Sequence, residues 1–174
     1  MKDIALSERL KHIQLLLLDV DGVMTDGGII YGADGSEIKI FNVKDGFGLN
    51  LVIKAGIPVG IVTGRKSKAL YHRCKDLGIQ LIFDGVRNKA ELLPKIVDQM
   101  STAPDHIAFM GDDIPDLALM RKVGLSITVA DAPKIVREAS DWTTSAAGGR
   151  GAVREICEAL LEAKGIWEKL MDNF

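Results

Sequence analysis

The run Leu15-Leu16-Leu17-Leu18, followed at once by Asp19-Val20-Asp21-Gly22-Val23-Met24-Thr25-Asp26, constrains this chain more than any other stretch. An apolar run this short reads as a buried strand. The acids at its C-terminal end fall where open α/β sheets place their ligand crevices. Side chains two apart on a strand share a face, so Asp19 and Asp21 converge on one small region. Two close carboxylates repel, and a cation or a shared proton is expected between them. The pair points to metal-assisted chemistry with an aspartate nucleophile.

Strand and helix patterns alternate along the rest of the chain. This predicts a mainly parallel sheet with helices on both faces, an α/β, Rossmann-like three-layer αβα fold. Strands are expected at Leu15–Asp19, Val59–Thr63, Leu81–Phe83, Ile107–Met110 and Ser126–Val129, with a short one near Trp142–Thr143. Helices are expected over Gly46–Ala55, ended by Gly56, and over Ser67–Leu77, ended by Gly78. A third begins at Asn88, where Glu91 three residues on gives a capping-box-like start, and a fourth has Pro115 in its first turn. The last carries Val153, Ile156, Cys157, Leu160 and Leu161 at helical spacing. One segment breaks the alternation. Gly28–Tyr31, a Gly-Ala-Asp-Gly turn and Glu37–Phe41 read as a β-hairpin projecting just after the Asp19/Asp21 strand. A two-stranded hairpin is marginal alone. Its apolar side chains must cover either their own domain or a second subunit.

Residues 1–174 are expected to form one domain with a substantial core. A net charge of -2 gives no nucleic-acid footprint. The apolar runs are too short to span a bilayer. The first nine residues carry acids where a signal peptide has its apolar core, so a cytoplasmic location is expected. Cys74 and Cys157 stand apart and are expected to be buried reduced thiols. His12, His72 and His106 are scattered and suggest no histidine triad or zinc site. Trp142 and Trp167 read as packing residues.

Three further segments converge with Asp19 and Asp21 if the sheet forms. These are Thr63-Gly64-Arg65 at a strand end, Asn88-Lys89 at a helix start, and Gly111-Asp112-Asp113-Ile114-Pro115-Asp116 at another strand end. Singly, each is weak; together and in this order they suit phosphoryl transfer, which needs positioning and charge neutralisation above all. Asp19 is suited to attack phosphorus and form an aspartyl-phosphate. A hard cation held by Asp19 and Asp112, together with Lys89, lets two anions approach. Thr63 Oγ and the Gly64 N–H can hold a phosphoryl oxygen. Asp21 can protonate the leaving alcohol and then deprotonate the attacking water.

These four motifs resemble those of the haloacid dehalogenase superfamily phosphatases, over a span of about 100 residues. The resemblance implies Mg²⁺ held by Asp19, Asp112 and the Asp21 backbone carbonyl, with Asp113 and Asp116 supporting the metal site from behind. Fewer than forty residues separate Asp26 from Thr63, and only a helix and a short strand fit between Arg65 and Lys89, so no cap domain fits either gap.

Over nearly its whole length the chain is similar to the capless branch exemplified by the 3-deoxy-D-manno-octulosonate 8-phosphate phosphatases. The similarity rests on Phe41-Asn42-Val43-Lys44-Asp45-Gly46, on Arg73-Cys74, on Val123–Ser126 and Val129–Ala132, and on Ala147-Gly148-Gly149-Arg150-Gly151-Ala152-Val153-Arg154-Glu155. It implies an enzyme of lipopolysaccharide sugar biosynthesis, acting on a phosphorylated sugar acid. It also implies a homotetramer with central hairpins and sites built between subunits. Arg65, Arg73 and Lys44 would then meet the substrate's carboxylate or phosphate, the arginines with bidentate pairing. Asn42, Asp45 and the backbone of Val43 and Gly46 would bind hydroxyls. Arg150 lies among glycines and either reaches a site, its own or a neighbour's, or is a solvated loop residue. In that branch another arginine follows the Asp-Gly pair in this helix; here the position is Asn50. That departure leaves a nine-carbon, sialic-acid-type 9-phosphate open as substrate. A receiver-like phosphoacceptor also uses strand-end Asp, Thr and Lys around Mg²⁺. Here, however, the first acids are spaced rather than adjacent, and Lys89 precedes the second acidic cluster.

Overall fold

The computed structural model describes residues 2–172, with side chains described from Leu6 onward. Among these residues eight strands form: β1 Leu15–Leu18, β2 Ile30–Tyr31, β3 Glu37–Ile38, β4 Val59–Val62, β5 Leu81–Phe83, β6 Ile107–Met110, β7 Leu125–Thr128 and β8 Trp142–Thr143. Eight helices accompany them: α1 Lys2–His12, α2 Val43–Lys54, α3 Lys68–Leu77, α4 Leu93–Met100, α5 Leu117–Met120, α6 Lys134–Ala139, α7 Ala152–Ala163 and α8 Trp167–Met171. Six strands make one sheet in the order β5-β4-β1-β6-β7-β8, with every pairing parallel.

β1, β4 and β6 are buried throughout, as apolar runs between two helical layers must be. The chain runs outward from β1 through β4 to β5, then returns to the other side of β1 as β6, β7 and β8. Right-handed crossovers on opposite sides of β1 put helices on opposite faces. The reversal makes the C-terminal end of β1 the switch point, where such sheets open a crevice.

The expected elements form, with shifted ends. α2 begins three residues early because Asn42 caps it: its Oδ1 accepts the Lys44 N–H at 2.8 Å and the Asp45 N–H at 3.4 Å. α3 ends at Gly78, which adopts the left-handed conformation at φ 73°. The segment after Asn88 is a 3₁₀ turn over Lys89–Leu92 before α4, and Asn88 bonds the Glu91 side chain rather than forming a capping box. The capping box lies instead at Asp113 and Asp116, ahead of α5. α1 is not announced by periodicity. Leu10 of α1 and the following Ile13 enter the core, and Arg9 is tied to Asp141 and the Gly124 carbonyl.

The hairpin forms, but its ladder is only two residues long on each strand, Ile30 opposite Ile38 and Tyr31 opposite Glu37. Phe41, at its end, packs half-buried against the core, but its other apolar side chains find no such cover. Ile29, Ile30, Tyr31, Ile38 and Ile40 all stay exposed, as do Val43 and Phe47 at the start of α2. Cys74 and Cys157 are buried free thiols, pushed to high pKa by burial. No described helix is long and apolar enough to cross a membrane.

Candidate active site

The sheet carries each key residue into place by extending its ladders one step past the strand. The Asp19 N–H bonds the Met110 carbonyl at 2.9 Å, the Thr63 N–H bonds the Phe83 carbonyl at 2.9 Å, and the Gly111 N–H bonds the Ile127 carbonyl at 3.1 Å. Asp19, Thr63 and Gly111 therefore stand side by side at the C-terminal edge. The four motif segments meet there around a cleft of about 330 Å³. Its walls include Asp19, Asp21, Thr63, Gly64, Arg65, Lys89, Asp112, Asp113 and Asp116.

Lys89 is the buried centre of charge. Its Nζ lies 2.9 Å from Asp19 Oδ1 and 2.5 Å from Asp116 Oδ1. Burial works against the ammonium, but Asp19 and Asp116 outweigh it and hold the Lys89 pKa above its ordinary value. Asp116 is fully engaged. Its Oδ2 accepts the Asp112 and Asp113 N–H groups at 2.9 and 3.2 Å while Oδ1 takes Lys89. It anchors the lysine to the loop that carries Asp112. Asp113 Oδ1 caps the following 3₁₀ turn through the Ile114 N–H at 2.8 Å.

That leaves Asp19 and Asp112 as carboxylates without a full complement of positive charge. Burial, then the charges of Asp19, Asp116 and Asp113, push Asp112 up to about 7. Burial also raises Asp19, against the pull of Lys89. Carboxylate oxygens of Asp19, Asp112 and Asp116 lie within 4.8 Å of one another. Gly22 completes the cradle. It has φ 86°, and a Cβ there would fall 2.0 Å from Asp112 Oδ2, so the Asp112 carboxylate lies directly against the Asp21-Gly22 backbone. Hard oxygen donors crowded around too little positive charge fit a divalent cation such as Mg²⁺.

The crowding has a measurable consequence. The folded-state pKa of Asp112 lies above its unfolded value, so folding favours the protonated form. Its stabilising contribution is complete below about pH 4 and is lost as pH rises through about 7. The metal-free protein is therefore expected to melt at lower temperature at about pH 8 than at about pH 5, and Mg²⁺ to raise Tm more at the higher pH. Scanning calorimetry with and without Mg²⁺ checks this; an equal Mg²⁺ effect at both values would contradict it.

Two residues on the hairpin reach the site without belonging to any motif. Lys39 Nζ donates to Asp21 Oδ1, and Glu37 bonds Arg65, whose Nε lies 3.6 Å from Asp21 Oδ2. The available signal is the alternation in Glu37-Ile38-Lys39-Ile40, which turns Glu37 and Lys39 away from the exposed isoleucines.

Of the expected substrate residues, Arg65 alone joins Asp21 and Lys89 on the cleft wall. The others are placed elsewhere on the chain. Arg73 donates to the Asn42 carbonyl at 3.1 Å and lies over the Phe41 ring, in space that a Cβ on Gly46 would fill. Asp45 is buried and accepts the Arg154 N–H at 2.8 Å, tying α2 to α7. Asn42 also donates to the Gly149 carbonyl at 3.2 Å, while Val43 and Lys44 point to solvent. Arg150 is exposed and pairs with Asp26 at 3.1 Å. The glycines before it press on the loop that follows β1: the Gly149 N–H bonds the Val23 carbonyl at 2.9 Å.

Comparison with known proteins identifies the family. A haloacid dehalogenase-like hydrolase family profile matches residues 82–156. The chain is 46% identical over 155 residues to the 3-deoxy-D-manno-octulosonate 8-phosphate phosphatase KdsC of Escherichia coli K12, covering 89% of this chain and 82% of that one. The chain belongs to the haloacid dehalogenase-like hydrolases. Among solved structures, this hydrolase superposes on the 3-deoxy-D-manno-octulosonate 8-phosphate phosphatase of Moraxella catarrhalis, which was solved with magnesium, phosphate and KDO. That match has a TM-score of 0.95 and 39% identity, covering 98% of each chain. It also superposes on the cobalt-bound phosphatase of Haemophilus influenzae, with a TM-score of 0.88 and 40% identity, covering 91% of this hydrolase and 93% of that chain. Both likenesses span nearly the whole chain rather than the motif-bearing strands alone.

Proposed function

We propose that this hydrolase is a Mg²⁺-dependent phosphatase that converts 3-deoxy-D-manno-octulosonate 8-phosphate to the free sugar acid and phosphate, supplying a lipopolysaccharide sugar. The observation that carries the reading is the cleft itself, where Asp19 stands beside Lys89 and Asp112 and Asp21 lines the same cleft. The E. coli and M. catarrhalis relatives are named for this substrate, and their similarity supports the choice.

In this reading residues 1–174 act as one catalytic domain. Asp19, Asp112 and the Asp21 backbone carbonyl would hold Mg²⁺, which when bound supplies charge that lets a carboxylate approach a phosphate. A carboxylate oxygen of Asp19 attacks phosphorus, and the bond to the sugar oxygen breaks as Asp21 gives that oxygen a proton. Lys89, fixed by Asp116, stays positive beside the reacting group. Thr63 Oγ and the Gly64 N–H hold a phosphoryl oxygen. Water then attacks the aspartyl-phosphate, Asp21 takes its proton, and Asp19 is regenerated. Arg65 meets the substrate's carboxylate from the same chain.

Asn42, Val43, Lys44, Asp45, Gly46, Arg73 and Arg150 serve the site, in this reading, through assembly. The exposed apolar hairpin and the exposed Val43 and Phe47 support a homotetramer in which neighbouring subunits roof each cleft. Light scattering is expected to give a mass of four chains, and deletion of Gly32–Gly35 to lower that mass or the activity; an unchanged, fully active variant would count against the assembly. A cytoplasmic setting fits the chemistry.

The decisive experiment is a phosphate-release screen with Mg²⁺ over eight- and nine-carbon sugar-acid phosphates. The eight-carbon ester is expected to lead by at least about tenfold in kcat/KM. Preference for a nine-carbon ester would move the substrate assignment. Release of a single phosphate per chain without turnover would identify a phosphoacceptor instead.

A further inference from the structure

The hairpin inserts one cation into the site. In Ile38-Lys39-Ile40 the two isoleucines are 51% and 65% exposed, while the lysine side chain between them is only 3% exposed. Strand alternation accounts for the split: the outer face is apolar and the inner face is charged. Turned inward, Lys39 Nζ bonds Asp21 Oδ1 and lies 3.6 Å from Glu37 Oε1. Glu37 in turn bonds Arg65 Nη2, which also donates to the Tyr31 hydroxyl at 3.3 Å. The second Asp21 oxygen, Oδ2, is buried and has no hydrogen-bond partner among the described residues. Lys39 thus holds one oxygen of this carboxylate, while the other lies 3.6 Å from Arg65 Nε, and the residue lines the cleft.

We propose that Lys39 is a positioning residue for Asp21: by holding Oδ1 from a buried position it fixes the orientation in which the carboxylate faces the reacting groups. The proposal rests on the acid/base reading of Asp21 given above. As Asp19 bonds to phosphorus and the P–O bond to the sugar breaks, the proton leaves Asp21 for the sugar oxygen. As water later bonds to phosphorus and releases Asp19, one water proton returns to Asp21. Lys39 gains and loses nothing. Its work is to restrict the rotation of a short side chain that would otherwise swing between orientations. Because Lys39 is carried by a hairpin whose outer face is apolar, whatever covers Ile38 and Ile40 also steadies the acid.

The leaving group separates this role from substrate anchoring. Departure of a sugar alkoxide needs a proton, whereas departure of p-nitrophenolate does not. Because both esters share the later hydrolysis step, kcat/KM, which reports steps up to leaving-group departure, is the quantity to compare. With Mg²⁺ present, Lys39→Met is expected to lower kcat/KM on the eight-carbon sugar-acid phosphate by about 10- to 100-fold, part of what a general acid contributes, and kcat/KM on p-nitrophenyl phosphate by less than about fivefold. Lys39→Arg, which can reach the same oxygen, should recover most of the sugar-ester rate. Should Lys39→Met not fold, Lys39→Gln is measured in the same way. Equal losses of kcat/KM on both esters, a raised KM with unchanged kcat on the sugar ester, or no change would each overturn the proposal. Wild-type turnover accompanied by equal losses sinks this inference alone. A wild type inactive on both esters would overturn the function reading together with it.

Discussion

Asp19→Asn is expected to reduce phosphate release by at least about 10⁴-fold while the protein keeps its fold, as removal of a covalent nucleophile does. The substitution preserves size and removes the charge and the attacking oxygen. Its backbone bond to the Met110 carbonyl remains, so the strand end stays in register. The neutral amide would also relieve part of the carboxylate crowding around Asp112, so thermal stability of the metal-free protein is expected to be unchanged or higher. Steady-state phosphate release and a melting curve check both halves. Near-wild-type turnover would remove Asp19 from the nucleophile's place.

Lys89→Met is expected to act on stability and rate together. The ammonium sits between Asp19 and Asp116, and Asp116 is 1% exposed. Losing the cation leaves a buried carboxylate whose remaining partners are two backbone N–H groups. Breaking a buried pair in this way costs about 3–5 kcal/mol. The Asp112 loop loses its anchor at the same time, so phosphatase activity is expected to fall by about 10³-fold or more through lost electrostatic stabilisation. Denaturant unfolding and phosphate release give the two numbers. A variant as stable as wild type would show that Asp116 is satisfied without the lysine. Lys89→Arg tests geometry separately: it keeps the charge, but its planar fork does not match the single point that two carboxylates share.

The fold was legible where the physics is local. Leu15–Leu18 and Ile107–Met110 are uninterrupted apolar runs that end in acids, and both are central strands with those acids at the edge. Gly78 marks the end of α3 because only a left-handed residue closes that helix cheaply. α1 was not legible, since its sequence has no strong apolar stripe and it is held by Arg9 reaching across to Asp141 and Gly124, residues far along the chain. Asn88 and Glu91 looked like a capping box but bond each other's side chains, because the segment tightens into a 3₁₀ turn that lowers Lys89 into the cleft.

The candidate site divides in the same way. Asp19, Asp21, Thr63, Lys89 and Asp112 follow from strand ends, and those ends are fixed by sheet topology. Lys39 and Glu37 depend on how a short hairpin folds back, which no strand-end rule reaches. Asn42 and Asp45 lie in a motif-like segment and Arg73 on α3, yet within one chain Asn42 caps α2, Asp45 bonds α7 and Arg73 bonds the Asn42 carbonyl. Residue type marks them as noteworthy; only the contacts show that they hold the loop in shape.

Turnover by this site depends on the covalent step at Asp19. The most direct measurement is mass spectrometry of acid-quenched Asp21→Asn protein, mixed with Mg²⁺ and the eight-carbon sugar-acid phosphate and digested with pepsin. The account predicts a phosphoryl group on the peptide carrying Asp19, absent from the Asp19→Asn, Asp21→Asn double variant. Phosphate release with the label on another residue, or the same label in the double variant, would contradict it.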